Sequence, residues 1–472
     1  PNMFRRFFAE GAFNMAFVPM FSRKLERGED PERFARDAFA GLATVLVGFT
    51  LLAQLAMPWL VLAMASGFAG DDRLGLATLF GRIAFPYILF ISLAALLSGV
   101  LNATGRFAAA AAAPCLLNAI FIAAMGLATW LGLDFGLALA WAVPVAGVAQ
   151  LALLWGAAAR AGFPIRPARP RLTPDMTRLA RVAAPAMMAG GVMQINLLVG
   201  RQVASYFDGA IQYLNLADRL YQLPLGVVAI AIGVVLLPDL ARKLAAEDTA
   251  GGRDAANRAA EFALLLTLPA ALALIVIAHP IVSVLYQRGA FDAEAAQATA
   301  LATAIYGAGL PAFVLQKVLQ PLYFARSDTA TPFRYAAMAM VVNAAVAIGA
   351  APLIGFTAAA WATTLAAWAM VGLLWRGARP MGAAAEPDGR LRRRLPRMVA
   401  ATEAMGAVLW LGAALAAPWL ALPGWRIAAL AGLIALGISS YFAAAQALGA
   451  TALAELRGAL RRGADSPPAT PD

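Results

Sequence analysis

The stretch FVPMFSRKL at residues 17–25 returns as VLLPDLARKL at 235–244, with Pro19 matching Pro238 and Lys24 matching Lys243 at an offset of 219. The correspondence then continues through Pro58 and Pro280, Pro86 and Pro311, Asn118 and Asn343, Trp141 and Trp361, and Trp155 and Trp375, at offsets of 220 to 225. A near-constant offset over so many positions marks an internal repeat, which sets the fold before any single element is read. The chain is therefore read as two homologous halves, 1–165 and 178–380. The linker 166–177, overlapping the Pro/Arg-rich FPIRPARPRLTPD at 163–175, joins them. A basic loop at 381–396, an appended helix pair at 397–449 and a tail at 450–472, expected to be disordered, complete the organisation.

The repeated unit is one built for lipid. Hydrophobic residues make up 62% of the 472 positions and charged residues 13%, too apolar for a soluble interior. The apolar blocks reach the roughly 20 residues needed to cross a hydrocarbon core as helix. Twelve spans are predicted, at 38–64, 80–101, 112–131, 138–159, 178–204, 211–237, 258–286, 296–325, 333–354, 357–375, 397–421 and 425–449. A further helical pattern at 3–22 is too charged to cross alone. The fold class expected is an all-α polytopic membrane protein with two parallel six-helix lobes. Shifting the span 178–204 by the repeat offset places its counterpart before residue 1. The repeat thus predicts roughly 40 further residues and a first helix ahead of this sequence, and fourteen helices in all.

The formal net charge of +11 reports topology. Of the 37 basic residues, 28 fall in alternate loops, among them Arg23, Lys24, the Arg160–Arg181 cluster, Arg326, Arg334 and the Arg376–Arg397 cluster. The opposite loops hold only Arg73, Arg82, Arg288 and Arg426. By the positive-inside rule the basic loops and the C-terminus are cytoplasmic. A nucleic-acid partner loses its support. Cys115, the single cysteine, is expected to be a small core residue, and His279, the single histidine, stands beside Pro280 near an outer helix end. Neither supplies a metal site, a disulfide or a catalytic pair, and no cofactor is expected.

Ionisable groups at membrane depth cost at least about 2.5–3.5 kcal/mol each on insertion scales, so they are functional candidates. The basic ones are Arg5, Arg6, Arg201, Arg219 and Lys317; the acidic ones are Glu10, Asp218 and Glu403. Arg6 and Glu10 share a helix face and can pair, leaving Arg5 free. In NLADRLYQLPLG, Asp218 and Arg219 are neighbours in sequence and cannot face each other on a helix. Pro224 and Gly226 are expected to open that helix toward a cavity. Guanidinium forks suit phosphate oxygens, so a cavity lined by Arg5 and Arg219 suits a phosphate or diphosphate headgroup. Arg201 and Lys317 are further cavity or coupling candidates, whereas Arg6 and Glu403 are read as structural or interfacial. Snorkelling to an interface is the plain alternative for any of these cations.

PNMFRRFFAEGAF at 1–13, FPYILFISLAALLSGVLNATGRF at 85–107, APCLLN at 113–118, ALAWAV at 138–143, ADRLYQLPLGV at 217–227 and ARSDTATP at 325–332 together resemble the MurJ (MviN) lipid II flippases. The similarity runs in order over nearly the whole chain. It implies the multidrug/oligosaccharidyl-lipid/polysaccharide exporter (MOP) fold, MATE-like, with two extra C-terminal helices forming a groove for the lipid tail. It also implies transfer of an undecaprenyl-diphosphate-linked peptidoglycan precursor from the cytoplasmic to the periplasmic leaflet of a bacterial inner membrane, by alternating access. The family's second-helix cavity residues fall on Asn2, Arg5 and Glu10, and its eighth-helix arginine falls on Arg219 beside Asp218. Essential basic residues of the family's first helix, and an aspartate early in the second, have no counterpart in this sequence, so the chain as written is expected to lack activity. Implied partners are lipid II, membrane lipids and other cell-wall synthesis proteins. A flippase for another polyprenyl-linked saccharide and a drug/cation antiporter of the same superfamily are the alternatives within transport. An antiporter is expected to line its cavity with acid, and this chain carries net base there. A polytopic transferase is disfavoured by short outer loops poor in Asp, Glu and His, and a scaffold by the buried charges.

Overall fold

A computed structural model describes residues 12–165, 168–231, 242, 243, 246, 248–324, 326, 328–381 and 386–450. Every regular element among them is a helix. Ten helical segments there are long and apolar enough to cross a bilayer. The predicted span at 178–204 and the part of 211–237 up to Ala231 fall on two further helices, α8 (Pro174–Ala204) and α9 (Ala210–Ala231), and 232–237 lie outside the described residues.

The matched prolines explain where the predicted spans break. The span predicted at 38–64 is two helices, α2 (Pro31–Leu55) and α3 (Met57–Met64), meeting at Ala56 just before Pro58. Its repeat counterpart is α10 (Thr249–Val276) followed by α11 (Ala278–Tyr286), meeting at Ile277 just before Pro280. Proline lacks an N–H and its ring clashes with the carbonyl four residues earlier, so it is tolerated in the first turn of a new helix. Pro86 likewise separates α4 (Asp72–Ala84) from α5 (Tyr87–Ala103). Its partner Pro311 lies inside the unbroken α12 (Ala293–Phe324). Pro224 also sits inside a continuous α9, so the expected opening of that helix is not seen.

Aspartates cap several starts. Asp134 accepts from the Leu137 N–H at 2.6 Å at the head of α7 (Phe135–Arg160), and Asp248 accepts from the Gly251 N–H at 2.8 Å at the head of α10. Each satisfies a backbone donor that the first turn leaves unpaired. Gly132 ends α6 (Phe107–Leu131) with φ 65°, a left-handed conformation that suits glycine.

The chain forms two compact units, one to Leu198 and one from Val199, with the boundary inside α8. In the first, α5 packs against α7, α2 and α1 (Ala12–Arg27). Phe17 lies flat on Phe34 with ring centres 5.5 Å apart, inside a core that includes Leu96, Leu97 and Val100. The approach of α7 to α5 depends on Gly147, where a Cβ would lie 2.8 Å from Tyr87. Gln150 Nε2 donates to the Ala113 carbonyl at 2.7 Å, a buried polar tie between α7 and α6.

In the second unit α12 packs against α10, α9 and α14 (Thr357–Ala378), and α13 (Ala330–Ile354) packs on α14. The C-terminal pair, α15 (Gly389–Ala421) and α16 (Arg426–Ala447), docks on α10 through Leu264, Leu265, Met398, Met405 and Tyr441. The Tyr441 hydroxyl donates to the Leu265 carbonyl at 2.7 Å. At the other end of this contact, Glu261 of α10 accepts from Arg258, Arg390 and Arg394. Asp388 caps α15 at the Leu391 N–H and pairs with Arg258.

Large apolar side chains face outward along these helices, among them Leu52, Trp130, Trp141, Val341, Leu353 and Trp410. Only 6% of the apolar window of α6 is buried within the chain. Such faces need hydrocarbon around them. Cys115 is exposed on α6, so the expectation of a core cysteine is corrected: the helix turns it outward.

Candidate functional site

Five of the predicted membrane-depth residues, Arg201, Asp218, Arg219, Lys317 and Glu403, fall within the described part of the second unit, and Asn2, Arg5, Arg6 and Glu10 lie outside the described residues. The local centre is Asp218 on α9. Its half-buried carboxylate accepts from Gln222 Nε2, one turn along the same helix, and lies against the Tyr221 hydroxyl. Residues three and four apart share a helix face, so the order ADRLYQ places Tyr221 and Gln222 beside Asp218.

Two aromatic rings of α12 pack against Tyr221 beside this group. Tyr221 stacks on Phe313 with centres 5.2 Å apart and 24° between planes, and it meets Tyr306 at 5.2 Å and 48°. Tyr306 is nearly fully buried. The carboxylate thus adjoins an aromatic cluster through Tyr221 and takes a donor, Gln222, from its own helix. The cluster was not anticipated from sequence, although the i+3 and i+4 spacing from Asp218 could have pointed to Tyr221 and Gln222.

Arg219, one residue on, is turned about 100° from Asp218 and is exposed. A guanidinium exposed at membrane depth is costly unless it meets water, an anion or an interface. Arg219 therefore presents a fork-shaped donor set outside the helix contacts, while Asp218 is held within them. Lys317 lies one turn past Phe313 on α12 and is also exposed. Its neighbour Gln316 is engaged with the Ala367 carbonyl of α14 at 3.1 Å. Arg201 is half-buried in the last turn of α8. The structure brings Asp218 together with Tyr221, Gln222 and Tyr306. It puts Arg219 on the adjoining helix surface and Lys317 and Arg201 on other helices. Glu403 is exposed on α15, away from the side that packs on α10.

No group of three or more potential metal-ligating side chains occurs among the described residues. The polar chemistry available here is that of a phosphate- or carboxylate-binding guanidinium next to a carboxylate that adjoins an aromatic cluster.

A family model described as "Lipid II flippase MurJ" matches residues 1–423. A protein of Rhizobium meliloti (strain 1021) described as a probable lipid II flippase MurJ is 43% identical, over 99% of this chain and 89% of that protein. The Lipid II flippase MurJ of Burkholderia cenocepacia is 35% identical over 94% of this chain and 87% of its own length. Among solved structures, a lipid II flippase MurJ in an inward closed conformation superposes with a TM-score of 0.75. It is 23% identical, over 94% of this chain and 89% of that one. An inward-facing MATE-family multidrug transporter of the MOP superfamily reaches a TM-score of 0.66 at 15% identity, over 81% of this chain and 88% of that one. These two likenesses concern the fold.

Proposed function

Because this chain belongs to the lipid II flippase family MurJ, we propose that it carries an undecaprenyl-diphosphate-linked peptidoglycan precursor from the cytoplasmic to the periplasmic leaflet. It is a multi-pass membrane transporter of a bacterial inner membrane, and its basic loops and C-terminus face the cytoplasm. Two lobes, 1–165 and 178–380, exchange inward and outward access around the substrate.

The observation that carries this reading is Arg219, an exposed guanidinium on α9 next to Asp218 and the Tyr221 aromatic cluster, in a helix expected at membrane depth. A diphosphate repays the cost of such a group through bidentate, charge-assisted hydrogen bonds, which strengthen as water is excluded. In this scheme Arg219 and Arg5 hold the diphosphate, with Asn2, Glu10 and Asp218 setting local charge and orientation. Arg201 and Lys317 serve the cavity or its coupling. The pair α15 and α16 accommodates the polyprenyl tail, and other cell-wall synthesis proteins act on either side of the transfer. No covalent bond changes, so the work of the protein is recognition and alternation.

Complementation tests the reading. The full-length protein should rescue cells depleted of their lipid II flippase, and Arg219→Ala should fail at equal membrane abundance. Unimpaired rescue by Arg219→Ala would remove this arginine from the mechanism.

A further inference from the structure

The outward surface of the second unit carries a groove of about 500 Å³ between α13 and α14. Met338, Val341 and Val342 line one side and Ala369, Gly372 and Leu373 the other, with Arg376 closing one end. A Cβ at Gly372 would meet nothing within 4 Å, so this glycine leaves the groove open where a larger side chain would fill it. The volume falls in the roughly 300–1,000 Å³ range of small-ligand sites.

The charge at its end is specific. No hydrogen bond or ion pair engages the Arg376 side chain among the described residues, whereas Arg379, three residues on, stacks on Trp375 at 4.9 Å. A second arginine, Arg334, stands four residues before Met338 and so on the same face of α13, where it is exposed. Its acidic neighbour Asp328 accepts from the Thr331 N–H at 2.9 Å at the start of α13 and also feels the Arg334 charge, so the arginine is partly balanced there. The two helices thus bring one arginine each to the same end of an apolar slot, the end that the basic loops place at the cytoplasm.

Repeat architecture does not account for this pair. By the offsets that match Asn118 to Asn343 and Trp155 to Trp375, the first-half positions equivalent to Arg334 and Arg376 are Ala109 and Gly156. The frame of the helices is shared, and the two cations belong to the second half alone.

We infer that this groove holds one anionic phospholipid of the inner leaflet, with an acyl chain between α13 and α14 and its phosphate between Arg334 and Arg376. The apolar lining matches the chain and the two guanidiniums match the phosphate. From Ala369 to Arg376 the groove runs roughly 10 Å along the helix, about a third of the hydrocarbon thickness. A headgroup fixed at its cytoplasmic end therefore stays in the inner leaflet, which fits a resident lipid and not one in transit. This site lies on other helices than Arg219 and Asp218; its inner-leaflet assignment rests on the proposed orientation, while lipid retention itself is independent of the flipping reading.

Native mass spectrometry of the purified full chain, offered phosphatidylglycerol or phosphatidylcholine at matched concentration, tests it. The wild type should retain phosphatidylglycerol roughly ten-fold more than phosphatidylcholine. Replacing both Arg334 and Arg376 by Gln should abolish the preference. Gly372→Leu, whose Cβ meets nothing within 4 Å and whose side chain extends into the groove, should lower phosphatidylglycerol retention with both arginines in place. Melting temperatures in phosphatidylcholine alone establish that each variant is folded. Equal retention of the two lipids by the wild type, or an unchanged preference in both variants, would overturn the inference. Displacement of the bound lipid by equimolar undecaprenyl diphosphate would also overturn it, by making the groove part of the transport path.

Discussion

Arg390 of α15 holds Glu261 of α10 through both Nε and Nη2, each 3.1 Å from a carboxylate oxygen, although 129 residues separate them. Arg258 and Arg394 donate to the same carboxylate, which is only 9% exposed. Asn257 adds two backbone ties, donating to the Glu386 carbonyl at 3.0 Å and accepting from the Asp388 N–H at 2.9 Å. The start of the C-terminal helix pair is thereby fastened to α10 by charge, while Leu265, Met405 and Tyr441 fasten its middle by packing.

Replacing Glu261 by Gln leaves three arginines around a neutral group. Breaking a buried ion pair costs about 3–5 kcal/mol, and the partial exposure of Arg390 reduces this to about 2 kcal/mol. Thermal unfolding of the purified protein should shift down by several degrees, and limited proteolysis should cut first near 386–390. An unshifted melting curve would show that packing alone holds the pair.

Asp388 makes the same junction sensitive to acid. Burial raises its carboxyl, but the Leu391 N–H and the Arg258 guanidinium outweigh that and hold it below the usual carboxylate range. A folded value depressed below the unfolded one of about 3.9 stabilises the folded state at neutral pH, and the contribution is lost as pH falls through the folded value. Unfolding scans below about pH 4 should therefore show a loss of stability that Asp388→Asn flattens. The same pH slope in the variant would assign the effect to other carboxylates.

Much of this architecture was legible in the sequence because it is repeated or local. Pro58 and Pro280 match in the repeat and break their spans at corresponding points. Pro86 and Pro311 match equally well, yet only Pro86 lies at a break; a membrane helix tolerates proline where its neighbours support it, and α14 donates to the Ile305 and Ala308 carbonyls of α12 in the turns before Pro311. Asp218 and Arg219 stood out as charges in an apolar run, but the cluster of Tyr306 and Phe313 comes from a helix some 90 residues later. The ties of Glu261 to Arg390 and Arg394 were hidden for the same reason: loop arginines read as topology signals, and only packing shows which also hold a buried carboxylate. Cys115 misled because an apolar run has no inside until its neighbours are known.

The proposed orientation has its own test. In a Cys115→Ala background, Pro423→Cys between α15 and α16 should react with a membrane-impermeant maleimide from outside intact spheroplasts. Glu386→Cys should react only after permeabilisation. The reverse pattern would invert the chain in the membrane.

On the proposed function, this chain moves a diphosphate-linked lipid past Arg219. The most direct measurement is the fraction of lipid II accessible at the periplasmic leaflet in flippase-depleted cells carrying the full-length wild type, Arg219→Lys or Arg219→Ala at equal abundance. Restored exposure is expected with the wild type, reduced exposure with Lys, which keeps the charge and loses the fork, and background exposure with Ala. Wild-type exposure with Arg219→Ala would contradict the proposed function.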